Sequence, residues 1–394
     1  MNFIYYIYIC IFITKHSINN HSINNQAQYI MSTYGACDTN YERCIISENE
    51  GNTYYNRYVH AGYLEVCKHL DTLHNGHSSL FPSGMCAITT AFHISMMNFN
   101  WSPTNIVISQ ETYCDTPRVV AYINDNYTNV NTFKIHVHDN EDVMNTFNHK
   151  IDKSKPTILF VETCTNPNGD VFDFGLLEKI VSIVGRDKIR IIVDNTWITS
   201  AIFQPLKHSR CIDMVVMSLT KYYGAGRSGI MGAIVCRDVL LNKRVFEYGR
   251  NCGLHVSPLY CQEMAKNIVS LRERIEKSSE LTKNVTEYLE LRKIKVNYPM
   301  LSSHRSHRLA QQLFKNIGPS VFTFEVPLKK EDALAWMRGS KFDCTTSFGA
   351  HDTRFDQWPR QTKNGTLCRI SIGFNSSFDE IVEELNRMFV TINL

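Results

Sequence analysis

Lys221 follows the apolar run Met214 to Met217, inside Ser218-Leu219-Thr220-Lys221-Tyr222, and Asp194 ends another, Ile191 to Val193. An amine with an ordinary pKa of about 10.4 is a poor nucleophile at neutral pH. Burial or a cationic neighbour depresses that value and allows a Schiff base with a carbonyl cofactor. Asp194 stands roughly one strand-helix-strand unit before the lysine, and ligand groups in open α/β sheets gather at the carboxyl ends of strands. Both side chains can therefore reach one crevice. A carboxylate there can pair with a pyridinium nitrogen, which makes pyridoxal phosphate the candidate aldehyde. A strand-end lysine taken singly is more often solvated, so the pairing with Asp194 is what gives Lys221 its weight.

Other residues suit the same ligand. Phe81-Pro82-Ser83-Gly84-Met85 runs straight into a helix-forming stretch. Backbone N–H groups at a helix start, together with the helix dipole, would make a phosphate seat. The pattern alone is an ordinary helix cap. Ser218 and Thr220 add hydroxyls that either donate to the phosphate or satisfy local backbone groups. Tyr113 follows the run ending at Ser109 and offers a flat ring to stack on a flat cofactor, although most of the 19 tyrosines must simply pack. Asn166, before Pro167, either hydrogen-bonds a ring oxygen or only turns the chain.

Elements of strand and helix character alternate between about residue 80 and residue 236. Candidate strands are 105–109, 132–137, 157–162, 189–194, 213–218 and 231–235. Such alternation predicts an α/β fold, a mostly parallel sheet covered by helices on both faces. From Ser257 to Leu291, Met264, Ile268, Leu271 and Ile275 recur at helical spacing, and Pro258 suits a helix amino terminus. Val321 to Val326 and Arg369 to Ile372 alternate as half-buried strands, and Ser377-Phe378-Asp379-Glu380 has the form of a capping box. The expected organisation is a leader over 1–30, an arm and subunit contact over 31–79, a cofactor-binding α/β domain over 80–254 and a smaller α+β domain over 255–394.

The 394 residues carry 41 Lys and Arg against 38 Asp and Glu, a balance that argues against a nucleic-acid partner. The 13 cysteines include no CxxC pair, which disfavours a zinc site or a disulfide framework and suits a reducing compartment, so a cytoplasmic protein is expected. His136 and His138 flank Val137 as ordinary strand histidines without further ligands nearby, and no metal is expected. The apolar stretch Phe3 to Ile13 is shorter than the roughly 20 residues of a membrane span, so no membrane partner is expected. No basic residue precedes that stretch, and the polar stretch His16 to Gln28 after it, in which Ser17 to Asn20 repeats at Ser22 to Asn25, reads as disordered. Met31 would then be the functional start, or the leader dispensable.

From about Tyr55 onward the chain resembles the Cys/Met-metabolism enzymes that use pyridoxal phosphate, the group of cystathionine β- and γ-lyases, cystathionine γ-synthase and methionine γ-lyase. The resemblance rests on ordered blocks: Tyr55-Asn56-Arg57, LFPSGMCAI (80–88), Tyr113 to Thr116, ETCTNP (162–167), VDNTW (193–197), SLTKY (218–222), Ser347-Phe348-Gly349 and GTLCRISIGF (365–374). It implies the fold-type I architecture of pyridoxal-phosphate enzymes, with Lys221 and Tyr113 as catalytic side chains. Lys221 would carry the cofactor and shuttle protons, Asp194 would hold the pyridinium and Tyr113 would stack on the ring. Gly84, Met85, Ser218 and Thr220 would hold the phosphate, with Tyr55 and Arg57 reaching the phosphate of a neighbouring subunit. Arg369, with Ser347, would bind the substrate α-carboxylate. The implied partners are a small sulfur-containing amino acid and further copies of the chain, as a dimer or a dimer of dimers.

The chain departs from the family where Ala225-Gly226-Arg227-Ser228 replace the usual Gly-His-Ser-Asp, and where Val59 to Gly62 follow Tyr58. Trp197 and the Gly365-Thr366-Leu367 run look like the β-lyase branch, Thr165-Asn166-Pro167 like the γ-branch. Asp115 stands where methionine γ-lyases tend to have cysteine. The expected activity is a carbon–sulfur lyase of the cystathionine β-lyase type. A γ-synthase or γ-lyase, or a catalytically degenerate interaction protein that keeps the fold, stays open beside it.

Overall fold

A computed structural model describes residues 57–226 and 229–394. The expected leader, most of the arm including Tyr55, and Arg227 and Ser228 lie outside the described residues.

Seven strands form the larger sheet: β1 (His77–Phe81), β2 (Thr104–Ser109), β3 (Val130–Ile135), β4 (Thr157–Glu162), β5 (Ile189–Asp194), β6 (Met214–Ser218) and β7 (Gly232–Cys236), in the order β1-β7-β6-β5-β4-β2-β3. The run from β3 to β6 is parallel, whereas β7 lies antiparallel to β6 and β1 antiparallel to β7. Alternate residues of the same strands feed two separate cores. Ile106, Ile108, Ile158, Phe160, Ile192 and Val216 face one side, where Phe160 stacks on Phe92 with ring centroids 5.3 Å apart. Val107, Leu159, Val161, Ile191, Val193 and Val215 face the other. A period of two with apolar residues on both faces makes each strand a near-continuous hydrophobic run, as a sheet covered on both sides requires.

The second sheet holds β8 (Val296–Asn297), β9 (Val321–Val326), β10 (Asp343–Cys344), β11 (Arg354–Phe355), β12 (Arg360–Gln361) and β13 (Thr366–Ser371). Its order is β10-β11-β13-β9-β8, with β12 also paired to β13. All its pairings are antiparallel except β10 with β11. The helix Phe378–Val390 starts at a capping box in which the Ser377 hydroxyl and the Glu380 carboxylate each serve the other's backbone, as its sequence predicts.

Two expectations are corrected. The helical stretch from Ser257 breaks into two helices, Pro258–Ile268 and Leu271–Leu291. Arg274 Nη1 donates to the Asn267 carbonyl at 2.6 Å, so that oxygen is occupied by a side chain where a continuous helix would offer it an amide. The strand expected over 132–137 ends at Ile135, because the Asp142 carboxylate accepts the His136 N–H at 2.9 Å and takes it out of the ladder. His136 and His138 therefore lie past the strand, in a cleft wall. Within the stretch 31–79, expected as an arm and subunit contact, the described residues hold the helix Ala61–His74 and β1. Among the described residues no helix is long and apolar enough to cross a membrane, and no group of three or more His, Cys, Asp or Glu could hold a metal.

Candidate active site

The parallel strands end side by side, and their last residues carry the chemistry. Glu162 closes β4 in register with Asp194 at the end of β5, and Ser218 closes β6. The chain then turns through Leu219 and Thr220 to Lys221. All of these except Leu219 line one cavity of about 270 Å³, together with Ser83, Gly84, Met85, Tyr113, Asn166, Trp197, Phe348 and Arg369. The crevice at the carboxyl edge of the sheet is where an open α/β fold places its ligand.

One end of the cavity is the start of the helix Gly84–Asn98. The Ser83 hydroxyl caps it by accepting from Cys86 N–H at 3.0 Å. Its first turn has no acidic residue, and the leading N–H groups of a helix have no intrahelical acceptor, so this end attracts an anion. A side chain at Gly84 would bring its Cβ within 2.8 Å of Ser218 Cβ, so glycine is what lets helix and strand meet. Thr220 is engaged otherwise: its hydroxyl donates to the Met231 carbonyl at 3.2 Å and accepts from Met231 N–H at 3.1 Å. Its one proton is thus spent on backbone.

Asp194 is buried, and its Oδ1 accepts from Thr196 N–H at 2.8 Å. Burial pushes its carboxyl pKa upward. Glu162, also buried, holds Tyr113 N–H at 2.6 Å and the Thr112 hydroxyl at 2.8 Å through Oε1, and Asn166 N–H at 3.2 Å through Oε2. Burial first, and the Asp194 charge second, raise its pKa as well. A cation set against this pair would relieve the charge that burial opposes. The Lys221 amine is pulled down to about 8, chiefly by burial and then by the Arg369 charge, with Asp356 acting in the opposite direction. Its Nζ donates to the Ser347 hydroxyl at 2.9 Å and lies 5.1 Å from the Phe348 ring centroid.

The second sheet brings its own groups to the same place. Arg369 stands in the middle of β13, 9% exposed, with Nη1 on Asn166 Oδ1 at 3.0 Å and Nη2 on the Asp356 carboxylate at 2.6 Å. Two of its five donors are so engaged, and the guanidinium reaches the cavity already oriented. Asp356 follows β11 and is held by the Thr346 hydroxyl at 3.0 Å. Ser347-Phe348-Gly349 lies directly on the lysine turn. Gly349 has φ +79°, and a Cβ there would come within 2.6 Å of Tyr222 N.

The structure thus brings Lys221, Asp194, Tyr113, Gly84, Met85, Ser218, Thr220, Asn166 and Arg369 around one cavity, with Ser347 on the lysine amine. Tyr113 is 39% exposed at its mouth. Arg57 is exposed and lies against Tyr58, its guanidinium 4.7 Å from that ring, beside a different and smaller cavity. Sequence reasoning missed Glu162, although it ends an apolar strand just as Asp194 does. It also missed Asp356, which sits where a two-residue strand leaves no periodicity to read.

The cavity fits pyridoxal phosphate on its own terms: an amine, an anion seat at a helix start and a buried carboxylate stand around one space. Comparison with known proteins agrees. The chain is 24% identical to a cystathionine β-lyase of Neurospora crassa over 87% of this chain and 75% of that protein. It is 25% identical to a cystathionine γ-lyase of Mus musculus over 79% and 78%. In fold it resembles a protein of Campylobacter jejuni whose solved structure carries N'-pyridoxyl-lysine-5'-monophosphate, with a TM-score of 0.75, 23% identity, and coverage of 90% of this chain and 92% of that one. The sequence matches one family over residues 10–389, a span that starts inside the expected leader. The chain belongs to the Cys/Met metabolism PLP-dependent enzyme family.

Proposed function

We propose that this protein is a carbon–sulfur lyase that splits a thioether amino acid on the β side of its sulfur, with cystathionine as the substrate. The observation that carries the reading is the meeting of the Lys221 amine, brought down to about 8, and the buried Arg369 fork in one cavity. An amine of that pKa is partly neutral near pH 8 and can both hold an aldehyde and take a proton. When bound, pyridoxal phosphate supplies the electron sink for the charge left on the α-carbon.

The chain's own groups do the rest. Arg369 holds the α-carboxylate through its remaining donors, which fixes the α-carbon over the lysine. Lys221 removes the α-proton and returns a proton as the thiol leaves. With pyridoxal phosphate bound, Asp194 would hold the ring nitrogen, Tyr113 would cover one face of the ring, and Gly84, Met85 and Ser218 would hold the phosphate. Thr220, its proton given to Met231, contributes to that seat by shaping the turn. Asn166 acts on Arg369, and Ser347 steers the lysine amine between its positions. Tyr55 and Arg57 serve the phosphate of a second copy, in a cytoplasmic homo-oligomer.

The net reaction consumes cystathionine and water and yields homocysteine, pyruvate and ammonia. Product analysis with purified protein and cystathionine tests it: pyruvate supports the reading, and 2-oxobutyrate with cysteine replaces it by γ-cleavage. Similarity to the mouse γ-lyase and the Thr165-Asn166-Pro167 run favour that second reading. Failure with cystathionine, followed by turnover of an acylated homoserine with cysteine, would assign the synthase reaction. A protein that gains no absorption band on mixing with pyridoxal phosphate would instead be a scaffold.

A further inference from the structure

Arg369 reaches the cavity aimed by Asn166, and the loop that carries Asn166 is closed by Asp170. Thr165 N–H donates to the Asp170 carbonyl at 2.8 Å, and Asp170 N–H returns a bond to the Thr165 hydroxyl at 3.0 Å. Cys164 and Val171 pair as an antiparallel bridge just outside them. A shift of Asp170 is thus passed to Asn166. The sheet that holds Arg369 grips this loop from the other side. Thr323, directly opposite Arg369 in the β9–β13 register, donates its hydroxyl to the Pro167 carbonyl at 3.3 Å. Between β8 and β9, His304 Nε2 donates to the Asn168 carbonyl at 2.9 Å, and the Ser306 hydroxyl accepts Val171 N–H at 3.1 Å. These three contacts are made to the loop's backbone. The fourth joins two side chains: Arg305 closes its fork on both oxygens of Asp170, with Nε on Oδ1 at 2.6 Å. The Asp170 side chain is 3% exposed and that of Arg305 49%. The other groups on Asp170 are imidazoles, His138 Nδ1 at 3.4 Å and His304 Nε2 at 4.0 Å. His304 brings no charge, since its Nδ1 accepts from Ser306 N–H at 3.1 Å and burial lowers its pKa. Arg305 is therefore the permanent cation on a buried anion.

We propose that Asp170 and Arg305 are a positioning pair for Arg369, fixing the loop 165–170 against the second sheet so that Asn166 aims the guanidinium at the substrate α-carboxylate. Neither side chain touches the substrate. The inference rests on the part of the proposed function in which Arg369 clamps that carboxylate, and it holds whichever side of the sulfur is cut. A guanidinium fork grips a carboxylate through two parallel bonds, and a displacement beyond about 0.5 Å or 10–20° forfeits that alignment. Loss of the pair therefore weakens ligands that carry an α-carboxylate and leaves plain amines unaffected.

Titration of the holoenzyme with L-alanine and with ethylamine, its carboxylate-free counterpart, tests the pair without any turnover, read from the change in cofactor absorbance. In Asp170→Asn, Arg305→Met and the double variant, the Kd for alanine should rise about tenfold or more, with those for ethylamine and pyridoxal phosphate within about twofold. The double variant should lose no more than either single one, because two side chains acting as one pair are removed once. Arg305→Lys keeps the charge without the fork and alters a half-exposed side chain, so it should lose about threefold. It decides the matter where a variant at Asp170 fails to take up the cofactor. Parallel losses for alanine and ethylamine, losses that add in the double variant, or wild-type affinities in both Arg305 variants overturn the pair and leave the clamp standing. Arg369→Met with unaltered alanine affinity overturns the clamp and the pair with it. Selective loss of alanine in a protein whose wild type cleaves no cystathionine supports the pair and overturns only the lyase reading.

Discussion

At the scale of single residues, the reactivity of Lys221 is set first by burial and then by two opposed neighbours. Burial and Arg369 lower its pKa, and Asp356, which also holds Arg369 at 2.6 Å, raises it. Because only the neutral amine attacks an aldehyde, capture of pyridoxal phosphate by the cofactor-free protein should quicken as pH rises through about 8 and level off above it. Replacing Asp356 by Asn removes an anion that stabilises the ammonium, so the midpoint should move to lower pH. Arg369→Met removes a cation, so it should move to higher pH and also raise the KM for amino-acid substrates about tenfold or more. Stopped-flow absorbance over pH 6–10 reads both, and midpoints that stay fixed in both variants would refute the electrostatic account. Asp194 was legible because it ends an apolar run of strand length, and Lys221 because it follows another within a few residues. Glu162 carries the same signal, as the polar residue that ends β4, but its role follows from tertiary hydrogen bonds that no local pattern reports. Its three hydrogen bonds tie together the backbone of Tyr113 and of Asn166, two residues that sequence reasoning treated as independent. Glu162→Gln should therefore loosen both, weakening cofactor binding by about tenfold in an equilibrium titration while Lys221 stays in place.

At the scale of elements, the site depends on how closely the second sheet's loop lies on the lysine turn. Gly349 has a left-handed backbone, and its nearest neighbour, Tyr222 N, lies 2.6 Å from where a Cβ would be. Gly349→Ala should cost about 1–3 kcal/mol from backbone strain, with more from the clash. The displaced Ser347 would also slow aldehyde capture by Lys221. Urea denaturation and capture rates measured together check this, and an alanine variant with wild-type values for both would sink it. Strands β4 and β5 matched their expected bounds because a polar residue stops each apolar run at the sheet edge. β1 was invisible, since His77-Ser78-Ser79-Leu80-Phe81 has two adjacent apolar residues and no alternation. Its position comes from pairing with β7, Leu80 opposite Ala233, which no local pattern reports. The break after Ile268 was equally hidden, because apolar spacing runs through it without a fault and a side chain of the next helix, Arg274, takes the Asn267 carbonyl.

At the scale of the whole molecule, the cofactor cavity is bordered by apolar surface that a single copy leaves to water. Ile230 lines the cavity and is 62% exposed, and beside it the Tyr260 ring, in a residue 48% exposed, lies against Gly229. Leu259 is 62% exposed on the same helix, which packs on the helix carrying the exposed Leu64. Apolar side chains grouped beside a ligand site favour cover by another protein surface, and a two-fold contact between identical copies would bury the patch on both at once. That arrangement also suits the proposed reach of Arg57 to a neighbour's phosphate. Covering the rim removes water from the cavity and strengthens every charge interaction within it. Sedimentation velocity at micromolar concentration should accordingly give a dimer or a larger even assembly. The double substitution Leu259→Glu with Tyr260→Glu, which puts like charges into the contact, should give monomers that bind pyridoxal phosphate about tenfold more weakly while their circular dichroism stays unchanged. A wild-type monomer holding the cofactor tightly would show instead that one copy completes the site alone, and that the exposed rim serves some other contact.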